Sequence, residues 1–204
     1  MKPFAIAIGL LTAAVSFAVG SVPHDRCRQE RVSNGTEDDC WSRNDARKLL
    51  VRWCEALVAY QVKEHPDPCV LGSFPCPACG LAHGRTGDAA YPLLCAYSLA
   101  GRKEFLDAAV LAVDWSERMM VRADGGNYND YRSGWWGITV FSQIAMGKSL
   151  HRFGHLIPED VHGRWMDVFR RQTSFIRRRF MDPDRKSTRL NSSHRLLSRM
   201  PSSA

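Results

Sequence analysis

From residue 44 onward the chain alternates between helical apolar stripes and short breaks. Ala46, Leu49, Leu50, Trp53, Leu57 and Tyr60 recur three and four apart, the spacing that lays side chains along one face of an α-helix. Ser42, with Asp45 three residues on, has the form of a helix N-terminal capping pair, and the prolines at 66 and 68 stop the pattern. After an irregular stretch over residues 66–87, DAAYPLLCAYSLA predicts a second helix ended by Gly101. RKEFLDAAVLAVDWSERMM predicts a third, broken at ADGG, and ITVFSQIAMGKSLHRFG a fourth. The last, from Pro158, carries Val161, Trp165, Val168, Phe169, Gln172, Phe175 and Ile176 on one stripe, with two acids in its first turn. No convincing alternating strand appears.

The fold class expected is therefore all-α, built of antiparallel helical hairpins joined by short links. The second helix is apolar nearly all round, through Ala89, Ala90, Leu93, Leu94, Cys95, Ala96 and Leu99. Such a helix is covered on several sides, and about five helices are too few to cover it. The sequence reads as part of a larger all-α assembly.

The ends read differently. One lysine, an apolar run from Phe4 to Val19 and small residues to Gly20 have the layout of a secretory signal peptide. The run is short and interrupted for a bilayer span. Residues 1–20 are thus expected as a cleaved signal and 21–43 as a leader loop, with an exported, periplasmic or extracellular product and no stable membrane insertion. Export permits disulfides, though seven cysteines is an odd number. The net charge of +7 would suit an anionic partner, but five basic residues and one acid from Asp184 onward supply +4 of it and Lys2 one more, leaving about +2 for the rest. Nucleic-acid binding loses its main support.

Two loops concentrate chemistry. In CPACGLAHGRTGD, Cys76 and Cys79 have metal-ligand or redox spacing, with His83 four residues beyond. Three readings stay open: a disulfide- or thiol-pinned structural loop, a zinc site at Cys76, Cys79 and His83 with Cys69 as a further ligand, and a redox pair, which lacks its strand-to-helix setting. Otherwise no cofactor is expected. Arg85 offers a bidentate partner for a uronate carboxylate, and His83 or Asp88 a group to move a proton. Alternatively, Asp88 caps the following helix or pairs with Arg85. In DGGNYNDYRSGWWGIT, Asn127, Tyr128, Asn129 and Trp135 suit sugar hydroxyls and ring faces, and Asp130 is a candidate acid or base, with a turn-forming role as its alternative. Trp135 is expected open and Trp136 packed. The arginines 170, 171 and 177–179 read as a solvated face or helix-end complement.

CPACGLAHGR, DAAYPLL, LDAAVLAVDWSE, the DGGN loop and WWGITVF together resemble exported bacterial proteins of the six-hairpin glycosidase-like superfamily. The resemblance covers residues 44–182. It implies an (α/α)6 toroid, here incomplete, over residues 44–183, with the two loops lining a cleft at one end. The group includes β-glucuronidase-type hydrolases, unsaturated-glucuronyl hydrolases and the toroid domains of heparinase II/III-like lyases, so it implies an oligo- or polysaccharide substrate, anionic in character. Hydrolysis by paired carboxylates is the first expectation, β-elimination the second, with Tyr128, Tyr131, His83 and Arg85 available to it. A non-catalytic zinc- or disulfide-stabilised binding module is the third. DRKSTRLNSSH, residues 184–194, resembles one reading-frame translation of a sequencing-library adapter. On that reading residues 184–204 are a non-native, disordered tail and this chain alone is an inactive fragment.

Overall fold

A computed structural model of the chain describes residues 42–130 and 134–181. The expected signal peptide, leader loop (apart from its last two residues) and tail, together with Cys27, Cys40 and Tyr131, lie outside the described residues. Among the described residues five α-helices carry the fold: α1 (Arg43–Tyr60), α2 (Ala90–Ala100), α3 (Lys103–Met120), α4 (Ile138–Phe153) and α5 (Glu159–Phe180). Two short 3-10 turns, Thr86–Ala89 and Gly154–Leu156, lead into α2 and follow α4. Among the described residues there is no strand, only isolated bridges between Pro75 and Ala82 and between Val121 and Asn127. The all-α reading holds.

Each helix begins or ends where its sequence permits. The Ser42 hydroxyl accepts from the Asp45 amide while the Asp45 carboxylate accepts from the Ser42 amide, a reciprocal capping box. Gly101 ends α2 at φ +67°, a left-handed turn that glycine adopts without a Cβ penalty. Only Arg102 then separates it from α3, and the two helices pack as a hairpin. The α4–α5 pair is the second hairpin.

The core is organised around α2. Its residues Ala90 to Ala96 are all buried, because α1, α3 and α4 each pack against it. This accounts for its all-round apolar sequence. The stripe on α5 is as its spacing predicts, with Val161, Trp165, Val168, Gln172 and Phe175 buried. The face of α1 needs correction. It buries Leu50, Cys54 and Leu57, while Trp53 and Tyr60 are 38% and 37% exposed. The burial stripe is rotated toward Cys54, a small residue that lets α2 approach and directs its thiol at the Pro92 carbonyl, 3.4 Å away. Tyr60 turns outward and donates its hydroxyl to the Pro75 carbonyl at 2.6 Å.

That contact belongs to a set that fastens the irregular stretch after α1. The buried Gln61 amide donates to the carbonyls of Gly72 and Ala108, each at 3.0 Å, and the Trp115 indole donates to the Cys69 carbonyl at 2.7 Å. Gly72 sits at φ +99° with the Leu111 carbonyl so near that a Cβ would lie 2.5 Å from it. Residues 62–75 are thus pressed onto α3, which sets the starting point of the Cys-rich turn.

Candidate functional site

The Cys-rich segment forms a tight turn. The Cys76 amide donates to the Leu81 carbonyl at 2.8 Å, and the Gly80 amide returns to the Cys76 carbonyl at 2.7 Å, with Gly80 at φ +71°. The amides of Ala78 and Cys79 are directed at the Cys76 sulfur and hold its thiol below the ordinary range, burial opposing them. The turn delivers His83 beside Cys79, with Nε2 3.2 Å from the Cys79 Sγ.

From His83 the chain is clamped to the second loop. The Gly84 amide donates to the Asn129 carbonyl at 2.7 Å. The approach is so close that a Cβ on Gly84 would lie 2.2 Å from the Tyr128 carbonyl oxygen. The His83 Nδ1 faces the Asp130 carboxylate at 3.8 Å, and the Asn129 side chain donates to the same carboxylate at 2.9 Å. The two polar loops, joined by residues as far apart in sequence as Gly84 and Asn129, therefore share one edge of the molecule.

Arg85 is fixed from two sides. Its Nε donates to the Asp88 carboxylate, and its guanidinium lies 4.8 Å from the centre of the Phe141 ring. Asp88 itself is 1% exposed. Burial raises its pKa to about 6 even though Arg85 pulls it down, through charge and the hydrogen bond alike. The α2 helix has no side-chain cap, so of the roles weighed for Asp88 the pair with Arg85 is the one made here.

The remaining candidates divide into open and enclosed. Tyr128 and Trp135 are 43% and 51% exposed. Arg122 lies over the Tyr128 ring at 5.0 Å, and Trp135 lies 5.8 Å from Phe141. Trp136 is half-buried and packed, its ring centre 5.7 Å from that of Phe175 with Arg122 over its face at 4.4 Å. Asn127 differs from the sugar-binding role expected for it. It is 1% exposed, its amide donates to the Thr139 hydroxyl at 2.9 Å, and its side-chain oxygen accepts from Gln172 at 3.1 Å. Asn127 and Asp88 present no surface to a polymer in this structure; Asp88 holds the partly exposed Arg85, and Asn127 ties its loop to the buried Thr139 and Gln172.

Sequence reasoning also missed Phe141, which reads as one more apolar residue of α4 yet is 44% exposed. Its position, six residues after Trp135 and under Arg85, makes it the floor of the open face. Cys69, weighed as a further metal ligand, is not in the group; among the described residues the cluster able to hold a metal is Cys76, Cys79 and His83.

Comparison with known proteins gives this surface its setting. A family model described as the ulvan lyase N-terminal domain matches residues 50–194. The chain belongs to that family. This is a polysaccharide-degrading family, in agreement with the carbohydrate-active reading of the sequence. The match runs on through residues 184–194, so it sets no boundary where the adapter-like stretch begins. The broad-specificity ulvan lyase of Formosa agariphila is 29% identical over 135 residues, which is 66% of this chain and 21% of that protein. The ulvan lyase N-terminal domain seen here thus corresponds to about a fifth of the length of that curated relative. No solved structure matches. No helix among the described residues is long and apolar enough to cross a membrane.

Proposed function

We propose that the chain is the helical N-terminal part of an exported polysaccharide lyase that cleaves an anionic, uronate-bearing polysaccharide by β-elimination. The observation that supports this reading is the clamp of Gly84 on the Tyr128–Asn129 backbone, beside which Arg85 and Trp135 both lie against Phe141, in a domain similar to part of a broad-specificity ulvan lyase. Hydrolysis, the first expectation from sequence, needs two carboxylates facing the scissile bond. Here Asp88 is enclosed and Asp130 is turned to His83 and Asn129.

Elimination asks for different groups. The proton α to the uronate carboxylate is removed, the electron pair left behind forms the double bond, and the C–O bond to the departing sugar breaks as that oxygen takes up a proton. Arg85 uses its Nε on Asp88 and has further N–H donors for the substrate carboxylate; neutralising that group makes the α proton more acidic. Tyr128 supplies the base and returns the proton to the leaving oxygen. Trp135 and Phe141 stack on sugar faces. His83 has both ring nitrogens engaged, toward Cys79 and Asp130, and positions the loop.

The test uses the complete protein with ulvan or another uronate-bearing polymer, following absorbance of the unsaturated sugar in the ultraviolet. Wild type is expected to generate it, and Tyr128→Phe to lower kcat by at least ~100-fold, within the range for a general acid–base group, with KM little changed. Release of saturated ends alone, or full activity in Tyr128→Phe, overturns the reading.

A further inference from the structure

The turn at residues 76–83 does more than connect α1 to the open face. Cys76 Sγ, Cys79 Sγ and a ring nitrogen of His83 all lie within 4.8 Å of one another. Tetrahedral zinc, with Zn–S near about 2.3 Å and Zn–N near about 2.0 Å, separates such atoms by roughly 3.5–3.8 Å. Cys79 Sγ and His83 Nε2 are 3.2 Å apart, a few tenths of an ångström closer than zinc would hold them, and the 4.8 Å bound leaves the set within about 1 Å of that geometry.

The orientation of the imidazole carries the argument further. Zinc-ligating histidines use one ring nitrogen on the metal and give the other to a carboxylate or carbonyl, which fixes the tautomer. His83 has this arrangement, with Nε2 on the sulfur side and Nδ1 facing the Asp130 carboxylate at 3.8 Å. Around Cys76 the chain is folded tightly on itself, the Cys79 and Gly80 amides donating to the Cys76 carbonyl at 3.3 and 2.7 Å, which brings Cys79 back beside Cys76. The backbone is built for this, since Gly80 takes the left-handed φ that closes the turn.

We propose that Cys76, Cys79 and His83 bind one zinc ion, with Asp130 as the carboxylate that positions His83. Three protein ligands leave the fourth position to a solvent oxygen, reached from the exposed Cys79 side. The ion would fasten the base of the His83–Asp88 loop, two residues before Arg85, and through Asp130 it would join that loop to the second one. The proposal does not rest on the lyase reading, and a metal-binding protein with no turnover would leave it standing.

The direct test is titration of the complete protein, purified under reducing conditions without metal, with cobalt(II) and then zinc. One cobalt per chain is expected, with sulfur-to-cobalt charge transfer and the strong visible bands of a tetrahedral site, both abolished when zinc displaces it. Cys79→Ser is expected to lose the charge transfer at that sulfur and most of the affinity. Cys69→Ser is expected to retain both. Asp130→Asn is expected to keep the stoichiometry and weaken binding by about 10–100-fold in competition with a chelator. Circular dichroism confirms that each variant is folded, and the wild-type titration needs no variant. Absence of charge transfer in the reduced wild type, an unchanged spectrum in Cys79→Ser, or its loss in Cys69→Ser overturns the site. So does a Cys76–Cys79 disulfide which, once reduced, gives a protein that takes up no metal. Unchanged affinity in Asp130→Asn overturns the role given to that carboxylate.

Discussion

Arg85→Ala is expected to cost the protein both activity and stability, and the two losses should separate on a second substitution. In the native structure the Asp88 carboxylate is 1% exposed and Arg85 is its partner. Removing one member of an enclosed ion pair leaves the other without compensation, which costs roughly 3 kcal/mol when the remaining group stays charged. The size of that loss depends on pH, and its sign follows from Asp88. Its folded pKa, about 6, stands above the ordinary carboxylate value of 3.8, so the fold favours the neutral acid. Stability from this group is fully present below the unfolded value and is lost as pH rises through the folded one. Without Arg85 the folded pKa moves higher still. Arg85→Ala should therefore be nearly silent in thermal unfolding at pH 4 and strongly destabilising at pH 8. Asp88→Asn in the same chain should recover most of the melting temperature at pH 8 while cleavage of the uronate polymer stays at least ~100-fold down, because the substrate carboxylate still lacks its cation. Recovery of activity together with stability would show that Arg85 serves only Asp88.

The second large effect is expected at Gly84. A methyl group there would sit 2.2 Å from the Tyr128 carbonyl oxygen, with the Tyr128 carbonyl carbon and the Asn129 Cα within 3.3 Å. These are backbone atoms, so no rotamer change relieves the contact. Gly84→Ala must push the loops apart, lengthening the Gly84–Asn129 hydrogen bond and withdrawing Asp130 from His83 and the Tyr128 backbone from Gly84. Displacement of positioning groups by about 1 Å is worth about 100-fold in rate. We expect that loss in kcat, with the helical circular dichroism signal retained and stability down by about 1–3 kcal/mol. Gly80→Ala is the contrast: open space surrounds its Cβ position, and only its φ of +71° is strained, so its cost should fall on stability at about 1 kcal/mol.

Much of this architecture is legible in the sequence, for identifiable reasons. Helices α2 to α5 follow from apolar spacing and from Gly101 and Pro158 at their ends, and the Ser42–Asp45 box from residue types alone. The orientation of α1 was not legible, because Trp53 and Tyr60 are apolar by composition but amphipathic in use. Tyr60 reaches a backbone carbonyl from the surface, while the small Cys54 marks the contact with α2. In the site, residue types located the two loops, and their meeting is a tertiary fact. Nothing in CPACGLAHGR states that Gly84 will touch Tyr128. Whether Asp88 and Asn127 face outward likewise depends on what packs over them, and Gln172, which holds Asn127, reads in sequence only as one polar residue on an apolar stripe. Phe141 is the converse case, an apolar residue that the fold leaves open.

The proposal on which these readings converge is that the loop carrying His83 and Arg85 and the loop carrying Tyr128 and Trp135 form one substrate surface. Hydrogen–deuterium exchange of the complete Tyr128→Phe protein, with and without a uronate-bearing oligosaccharide, tests it most directly. The clamp predicts that peptides covering both loops slow together when the sugar binds, and that Arg85→Ala removes the protection from both. Protection confined to other parts of the protein, with both loops exchanging as fast in the bound state as in the free one, would contradict it.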